Sequence, residues 1–478
     1  MALKRVFLSA AALTASRVFQ LVLSFAIVPV MTRLLTPAEY GLMAIAMAFV
    51  ALTLYLSDSG MGRSLVRNSP DDVVAWSSAH WLVTMFTGAL TLLLALAAYP
   101  AAWFFDEPRL APMILALSIM PLLHGLLEMP CNYLIQREKL WPIAASEVTS
   151  ALTGAIVAIV LASHGAGVWA LVAQQMAILA VKSALIFTVS GFRPRFVFDL
   201  KALGDHMRFA RDTLGYALTS FVSKQTDPLV IGKILGPAPL GFYAIAYRIM
   251  AMPANVTGVP IQGAIYTRLV RLREDTAALK TVVLAVTFAQ SAALFPAITA
   301  LAVSGKSAFT ILLSERWAWT GEIFSMLAVA GMAQAVTTLN GAVLQALNLT
   351  GARLRLTLEF ALIWLAAALV LVHFGVAAMA IGFSVISLAY VPRLLHFFLK
   401  PMDCTYREYL GALAAPIIVS LGIVAAHELL SNLFDLSNWE TVLLAAAELL
   451  AAYGALALFA RKDLLSRLSA VRAIFAAS

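Results

Sequence analysis

Charge is scarce in this sequence. Asp, Glu, Lys and Arg make up 12% of the 478 residues, roughly half the ~25% usual in a soluble domain. No polar interval is long enough to fold alone, and the longest stretch outside apolar runs, residues 191–208, excludes a soluble domain. Cysteine is nearly absent: Cys131 and Cys404 stand far apart, in no metal or redox spacing. No HExxH, no paired-aspartate sugar-nucleotide motif and no Ser/His/Asp arrangement stands in a loop where it could work. No basic cluster with interleaved aromatics points to nucleic acid. These absences argue against an enzyme and against a nucleic-acid partner.

What is present is hydrophobicity, 62% of the residues. Apolar runs of membrane-spanning length recur along the whole chain and predict an all-α integral membrane protein. Fourteen spans are expected, at 6–32, 38–62, 74–100, 110–136, 143–163, 167–190, 209–235, 239–266, 280–304, 319–347, 354–374, 375–399, 409–430 and 439–460. Prolines inside them do not veto helices, because membrane helices bend at such residues. Of the 33 Lys and Arg, 24 lie on the side of both termini, 5 lie in the opposite loops, and Arg17, Lys182, Lys224 and Arg248 fall inside spans. The positive-inside rule therefore places both termini in the cytoplasm.

The chain also repeats itself. Residues 32–50, TRLLTPAEYGLMAIAMAFV, align without a gap to residues 232–250, GKILGPAPLGFYAIAYRIM, with seven identities in nineteen pairs that include Pro37/Pro237 and Gly41/Gly241. Chance would give roughly two at one fixed offset, so the halves are internal repeats. GVWA at 167–170 and GVAA at 375–378 mark the turn between the fifth and sixth spans of each half, and Gln136 and Gln345 end the fourth. Six spans per repeat predict two parallel six-helix bundles, residues 1–200 and 201–400, followed by two extra helices and a tail in 401–478. The repeat also argues that residues 1–15 belong to the fold and are not a signal peptide.

A charge at the centre of a membrane helix costs about 2.5–3.5 kcal/mol on insertion scales, so in-span charges are functional pointers. Arg17 lies on a polar stripe of the first span with Thr14, Gln20 and Ser24. The seventh span carries Lys224 and Asp227, which share a face, either as cavity lining or as a structural ion pair. The eighth adds Tyr243, Tyr247 and Arg248, the tyrosines being either packing or a sugar platform. Asp58 ends the second span, where capping or bracing Arg63 is the alternative. Glu128, Glu147, Lys182 and Glu359 are further in-span charges, with Lys182 and Glu147 expected to reach toward the cytoplasmic interface. Arg17 and Arg248 lack a carboxylate at i±3 or i±4 and point to a cationic, water-filled cavity. Such a cavity suits an anionic head group such as pyrophosphate.

The motifs that carry a resemblance are the turn at 33–41, SDSG at 57–60, NYLIQREKLW at 132–141, DPLVIGKILGPAPLGFYAIAYR at 227–248 and the stretch 253–260. With the 14-span plan, they resemble the Wzx-type polysaccharide transporters of the multidrug/oligosaccharidyl-lipid/polysaccharide exporter superfamily, in particular the colanic-acid and exopolysaccharide group. The resemblance covers the whole chain. It implies a bacterial inner-membrane flippase that moves undecaprenyl-pyrophosphate-linked oligosaccharide among membrane lipids to the periplasmic leaflet by alternating access. It implies a polysaccharide polymerase or co-polymerase as partner and no resident cofactor. Na+ or H+ coupling would fall to Asp58 and Asp227. The second turn departs from the first, with Pro239 and Leu240 in place of Glu39 and Tyr40. A lipid II flippase or drug/cation antiporter of the same superfamily is the alternative reading, and a membrane enzyme of polysaccharide assembly the remote one.

Overall fold

The computed structural model describes the chain except residues 1, 58–59, 69–71, 255–264, 267, 460–468, 470–473 and 475–478. Among the described residues every regular element is helical. Twelve helices among the described residues are long and apolar enough to cross a membrane, and they coincide with twelve of the fourteen expected spans. The two others are also helices. Gly204–Ile234 carries seven charged residues, and Pro237–Pro253 adjoins residues outside the described set. Large apolar side chains such as Leu96, Trp103, Leu450 and Leu458 face outward, the arrangement expected of a multi-pass protein surrounded by lipid.

Contacts divide the chain into Met1–Gly241 and Phe242–Ser478. In the first unit, Leu140–Ser163 packs against Val168–Ser190 and Ala2–Leu34, while Gly204–Ile234 lies on Pro37–Ser57. In the second, Ala318–Ala346 packs against Val376–Leu399, and Thr276–Val303 runs between Ala318–Ala346 and Tyr406–Leu433.

The repeat read from the sequence is also a repeat of backbone geometry. Glu138 and Asn348 both take φ of 58°. The bonds Glu138 N–H to Ile135 and Lys139 N–H to Leu134 recur as Asn348 to Gln345 and Leu349 to Leu344. These close the fourth span of each half with one left-handed turn. Gly167 and Gly375, both at positive φ, precede the sixth span of each half. A side chain at either position would be strained.

At the paired turns the two motifs meet within the first unit. A methyl group on Gly41 would overlap the carbonyl oxygen of Pro237, and one on Gly241 would overlap that of Pro37. Each glycine is thus the seat for the proline that starts the other helix. The first turn is further held by a capping box, in which Thr36 N–H donates to Glu39 Oε2 at 2.7 Å and Glu39 N–H to Thr36 Oγ1 at 3.4 Å. With proline at position 239, the second turn has no such box and bends instead at Gly236, φ 86°.

The last two helices, Tyr406–Leu433 and Asn438–Phe459, are joined by a buried polar pair. His427 Nδ1 lies 3.0 Å from Glu448 Oε2, with both side chains 8% exposed. His427→Leu leaves the Glu448 carboxyl buried without its partner, an expected cost of about 1–3 kcal/mol. Replacing both by leucine is expected to restore most of that loss. Thermal melting of the purified single and double variants checks it. A double variant no more stable than His427→Leu would contradict the pairing account.

Candidate functional site

In the first unit, Arg17, Glu128, Glu147 and Lys182 lie near one another. Glu147 is 6% exposed, and Ser16 Oγ donates to its Oε2 at 2.7 Å. Lys182 Nζ approaches its Oε1 at 3.6 Å, and Gln20 Nε2 donates to its backbone carbonyl at 2.9 Å. Lys182 and Glu147 therefore do not reach separately toward the interface. The close packing of Leu140–Ser163 on Val168–Ser190 brings ammonium and carboxylate together, and a buried carboxylate needs such partners. Cys131 sits within Coulombic range of Lys182, Glu147, Arg17 and Glu128, so four charges from four helices converge here.

Arg17 occupies a different position from its neighbours. Ser16 is buried and serves Glu147, whereas Arg17 is exposed. Among the described residues it has no carboxylate within salt-bridge distance. The helix is docked through Ser16 and Gln20 and leaves the guanidinium exposed.

The SDSG and NYLIQREKLW motifs meet in the same unit. Asp58 lies outside the described residues. Just past it, Gly62 N–H donates to Glu128 Oε1 at 3.5 Å, and Asn132 Nδ2 donates to the Glu128 carbonyl at 2.9 Å. On Gly204–Ile234, Lys224 is exposed with its ammonium 5.9 Å from the centre of the Tyr55 ring, at the outer limit of a cation–π contact. Asp227, on the same expected face, is buried. The two residues sit in different surroundings.

In the second unit Arg248 is exposed, and Tyr243 is buried. Tyr247 stacks on Tyr243 with ring centroids 6.1 Å apart and an interplanar angle of 21°. It meets Phe383 edge-on at 5.7 Å. The aromatic row continues from Phe383 to Trp364 and Phe360, and from Phe360 to Tyr390. Tyr247 thus opens a continuous aromatic track through this unit. Glu359 is held by Arg355 Nε at 2.8 Å, by Arg393 Nη2 at 3.3 Å and by the Tyr390 hydroxyl at 3.3 Å.

Outside the spans, burial pushes the Cys404 thiol up to about 11, so it stays protonated and a poor nucleophile at neutral pH. Among the described residues no cluster of His, Cys, Asp and Glu could hold a metal ion. Sequence reasoning missed Ser16, which lies beside the polar stripe it had found. It also missed His427 and Glu448, whose helices fall outside the repeat.

Residues 30–322 match the family model described as polysaccharide biosynthesis protein. Among curated proteins, the chain is 25% identical over 308 residues to the succinoglycan biosynthesis transport protein ExoT of Rhizobium meliloti. That match spans 64% of this chain and 62% of the relative, less than two thirds of its length. It is 22% identical over 404 residues to the lipopolysaccharide biosynthesis protein WzxC of Escherichia coli, spanning 82% of this chain and 80% of the relative. Among solved structures, the lipid II flippase MurJ in an inward closed conformation matches with a TM-score of 0.77, 14% identity, and coverage of 95% of this chain and 99% of that one. At that identity the likeness shows the fold.

Proposed function

Because this chain belongs to the polysaccharide biosynthesis protein family, we propose that it carries a lipid-linked oligosaccharide across the bacterial inner membrane. The observation that carries this reading is the match of residues 30–322 to that family, on a fold shared over 95% of the chain with a solved membrane transporter. Relatives named for succinoglycan and lipopolysaccharide biosynthesis support an exopolysaccharide or O-antigen cargo.

The cargo is then an undecaprenyl-pyrophosphate-linked repeat unit. Its tail stays in lipid, and its pyrophosphate and sugars pass through the protein. Arg17 and Lys224 in the first unit and Arg248 in the second, exposed cations in the expected first, seventh and eighth spans, are each assigned in this reading to attraction of the pyrophosphate. Charge-assisted hydrogen bonds of guanidinium to phosphate are shorter and stronger than neutral ones. Coupling to Na+ or H+ is assigned in this reading to Asp58 and Asp227. With the Lys- and Arg-rich loops in the cytoplasm, movement runs from the cytoplasmic to the periplasmic leaflet, where a polymerase receives the unit.

Deleting the gene tests this reading. Loss of surface polysaccharide, with lipid-linked repeat units accumulating in the cytoplasmic leaflet and growth unchanged, is the expected result. Unchanged polysaccharide would contradict it. The second reading, transport of lipid II, is favoured by the fold match alone, and growth arrest with accumulated peptidoglycan precursor would support it instead.

A further inference from the structure

A cavity of ≈310 Å³ lies inside the second unit, walled by the helices Ala318–Ala346, Thr350–Leu371 and Val376–Leu399. Its lining includes Gln334, Asn340, Arg353, Phe360, Ser387 and Tyr390. None of these residues belongs to the charge set read from the sequence. The cavity is at the small end of the range for small-molecule pockets.

Its chemistry is selective. Asn340 is 3% exposed, and among the described residues neither its Oδ1 nor its Nδ2 has a hydrogen-bond partner; the hydroxyl of Ser387, also buried, has none there either. A buried amide left without partners is costly, so the cavity is built for an occupant. That occupant must both donate and accept hydrogen bonds. A carboxylate or a pyrophosphate diester only accepts, and would leave Asn340 Oδ1 unserved. A hydroxyl does both.

Two further features narrow the class. Phe360 and Tyr390, ring centroids 5.4 Å apart, form an aromatic wall of the kind that packs on the C–H face of a sugar ring. The Tyr390 ring is fixed because its hydroxyl donates to the Leu356 carbonyl at 3.0 Å and to Glu359 at 3.3 Å. Arg353 brings a cation to the same cavity. A methyl group on Gly341 would come within 3.3 Å of its Cζ, so glycine at that position lets the guanidinium lie close against the helix.

We propose that this cavity is a saccharide pocket that takes one hydroxyl-rich, anionic sugar residue, such as a hexuronate, of the transported unit. The proposal deepens the transport reading and rests on it for the origin of the sugar. Asn340 and Ser387 hydrogen-bond ring hydroxyls, Phe360 and Tyr390 pack on the ring, and Arg353 pairs with the acidic substituent. The pocket selects for sugar chemistry, whereas Arg17, Lys224 and Arg248 serve the pyrophosphate.

Saturation-transfer NMR on the purified full-length protein tests this, with methyl glucuronide, methyl glucoside and inorganic phosphate as probes. The wild type is expected to transfer saturation to the glucuronide ring protons. Asn340→Leu and Arg353→Gln should each weaken apparent affinity about tenfold, equal to about 1.4 kcal/mol, and the milder Ser387→Ala should weaken it less. The glucoside should respond to Asn340→Leu but not to Arg353→Gln, and phosphate should not displace either sugar. Absence of transfer in the wild type would leave water as the occupant and overturn the proposal. So would equal transfer in all variants, or full displacement by phosphate. None of these outcomes alters the leaflet distribution expected on gene deletion, so pocket and transport can fail separately. Thermal melting of each variant separates lost binding from lost fold.

Discussion

Gly241→Ala is expected to remove most of the folded protein. The added methyl group overlaps the carbonyl oxygen of Pro37, a backbone atom at the start of a helix, and Gly41→Ala meets the carbonyl of Pro237 in the same way. A flexible side chain could swing aside, but these neighbours cannot. Relief requires the starts of Pro37–Ser57 and Pro237–Pro253 to separate, which strips contacts from Ile45 and Gly232 as well. Overpacking of a well-fitted core costs typically 1–3 kcal/mol, and a backbone-on-backbone overlap belongs at or above the top of that range. For a unit of this size each kcal/mol lowers the melting temperature by about 2–4 °C. Melting and size-exclusion profiles of the purified variant read the effect directly. Gly422→Ala is the control: among the described residues nothing lies within 4 Å of its added methyl group, and inside a helix it should melt at or slightly above the wild type. The two turn variants together should cost less than the sum of each, since one separation of the helices relieves both overlaps. A Gly241→Ala protein as stable as the control would contradict the interlocked turns.

Arg17→Ala is expected to abolish polysaccharide output while leaving protein in the membrane. The two effects separate because the helix is docked by Ser16 and Gln20 on Glu147, not by Arg17. Removing one charge-assisted hydrogen bond costs about 1.5–3 kcal/mol, or about 10- to 150-fold in transport. Arg17→Lys keeps the charge but loses the bidentate geometry, and should recover only part of it. Arg248→Ala is expected to behave alike. Polymer measured against membrane protein level decides the matter, and normal output from both alanine variants would sink the assignment of these cations to the cargo.

Much of the fold was legible because membranes impose a simple code. Long apolar runs must be helices, and twelve of the expected spans were placed by that rule alone. The repeat was legible for a different reason: Gly41 and Gly241 lie against the backbone carbonyls of Pro237 and Pro37, and the two glycine positions tolerate no side chain. The sequence could not reveal that the two copies of the motif pack on each other, since spacing along the chain says nothing about which copy meets which.

The site was less legible. Charges inside spans stand out by cost, so Arg17, Lys224 and Arg248 could be named. Partners cannot be read so easily, and Glu147 and Lys182, 35 positions apart, looked independent until packing paired them. Asn340 escaped notice because a neutral amide costs little in composition, although Gln334, Thr337 and Asn340 recur every three residues on one helix. That polar stripe was the available signal. Glu448 carried the same signal as the other in-span charges, a carboxylate inside the span 439–460, but its partner His427 lies on another helix, and both fall outside the repeat.

Transport itself is tested most directly by reconstitution. The purified protein is placed in liposomes with a fluorescent undecaprenyl-pyrophosphate-linked oligosaccharide, and the lipid exposed to an impermeant quencher is followed with time. The account predicts that wild-type protein moves labelled lipid between leaflets, that Arg17→Ala does so at least about tenfold more slowly, and that protein-free liposomes show no exchange. Wild-type vesicles whose labelled lipid stays in its original leaflet would contradict it.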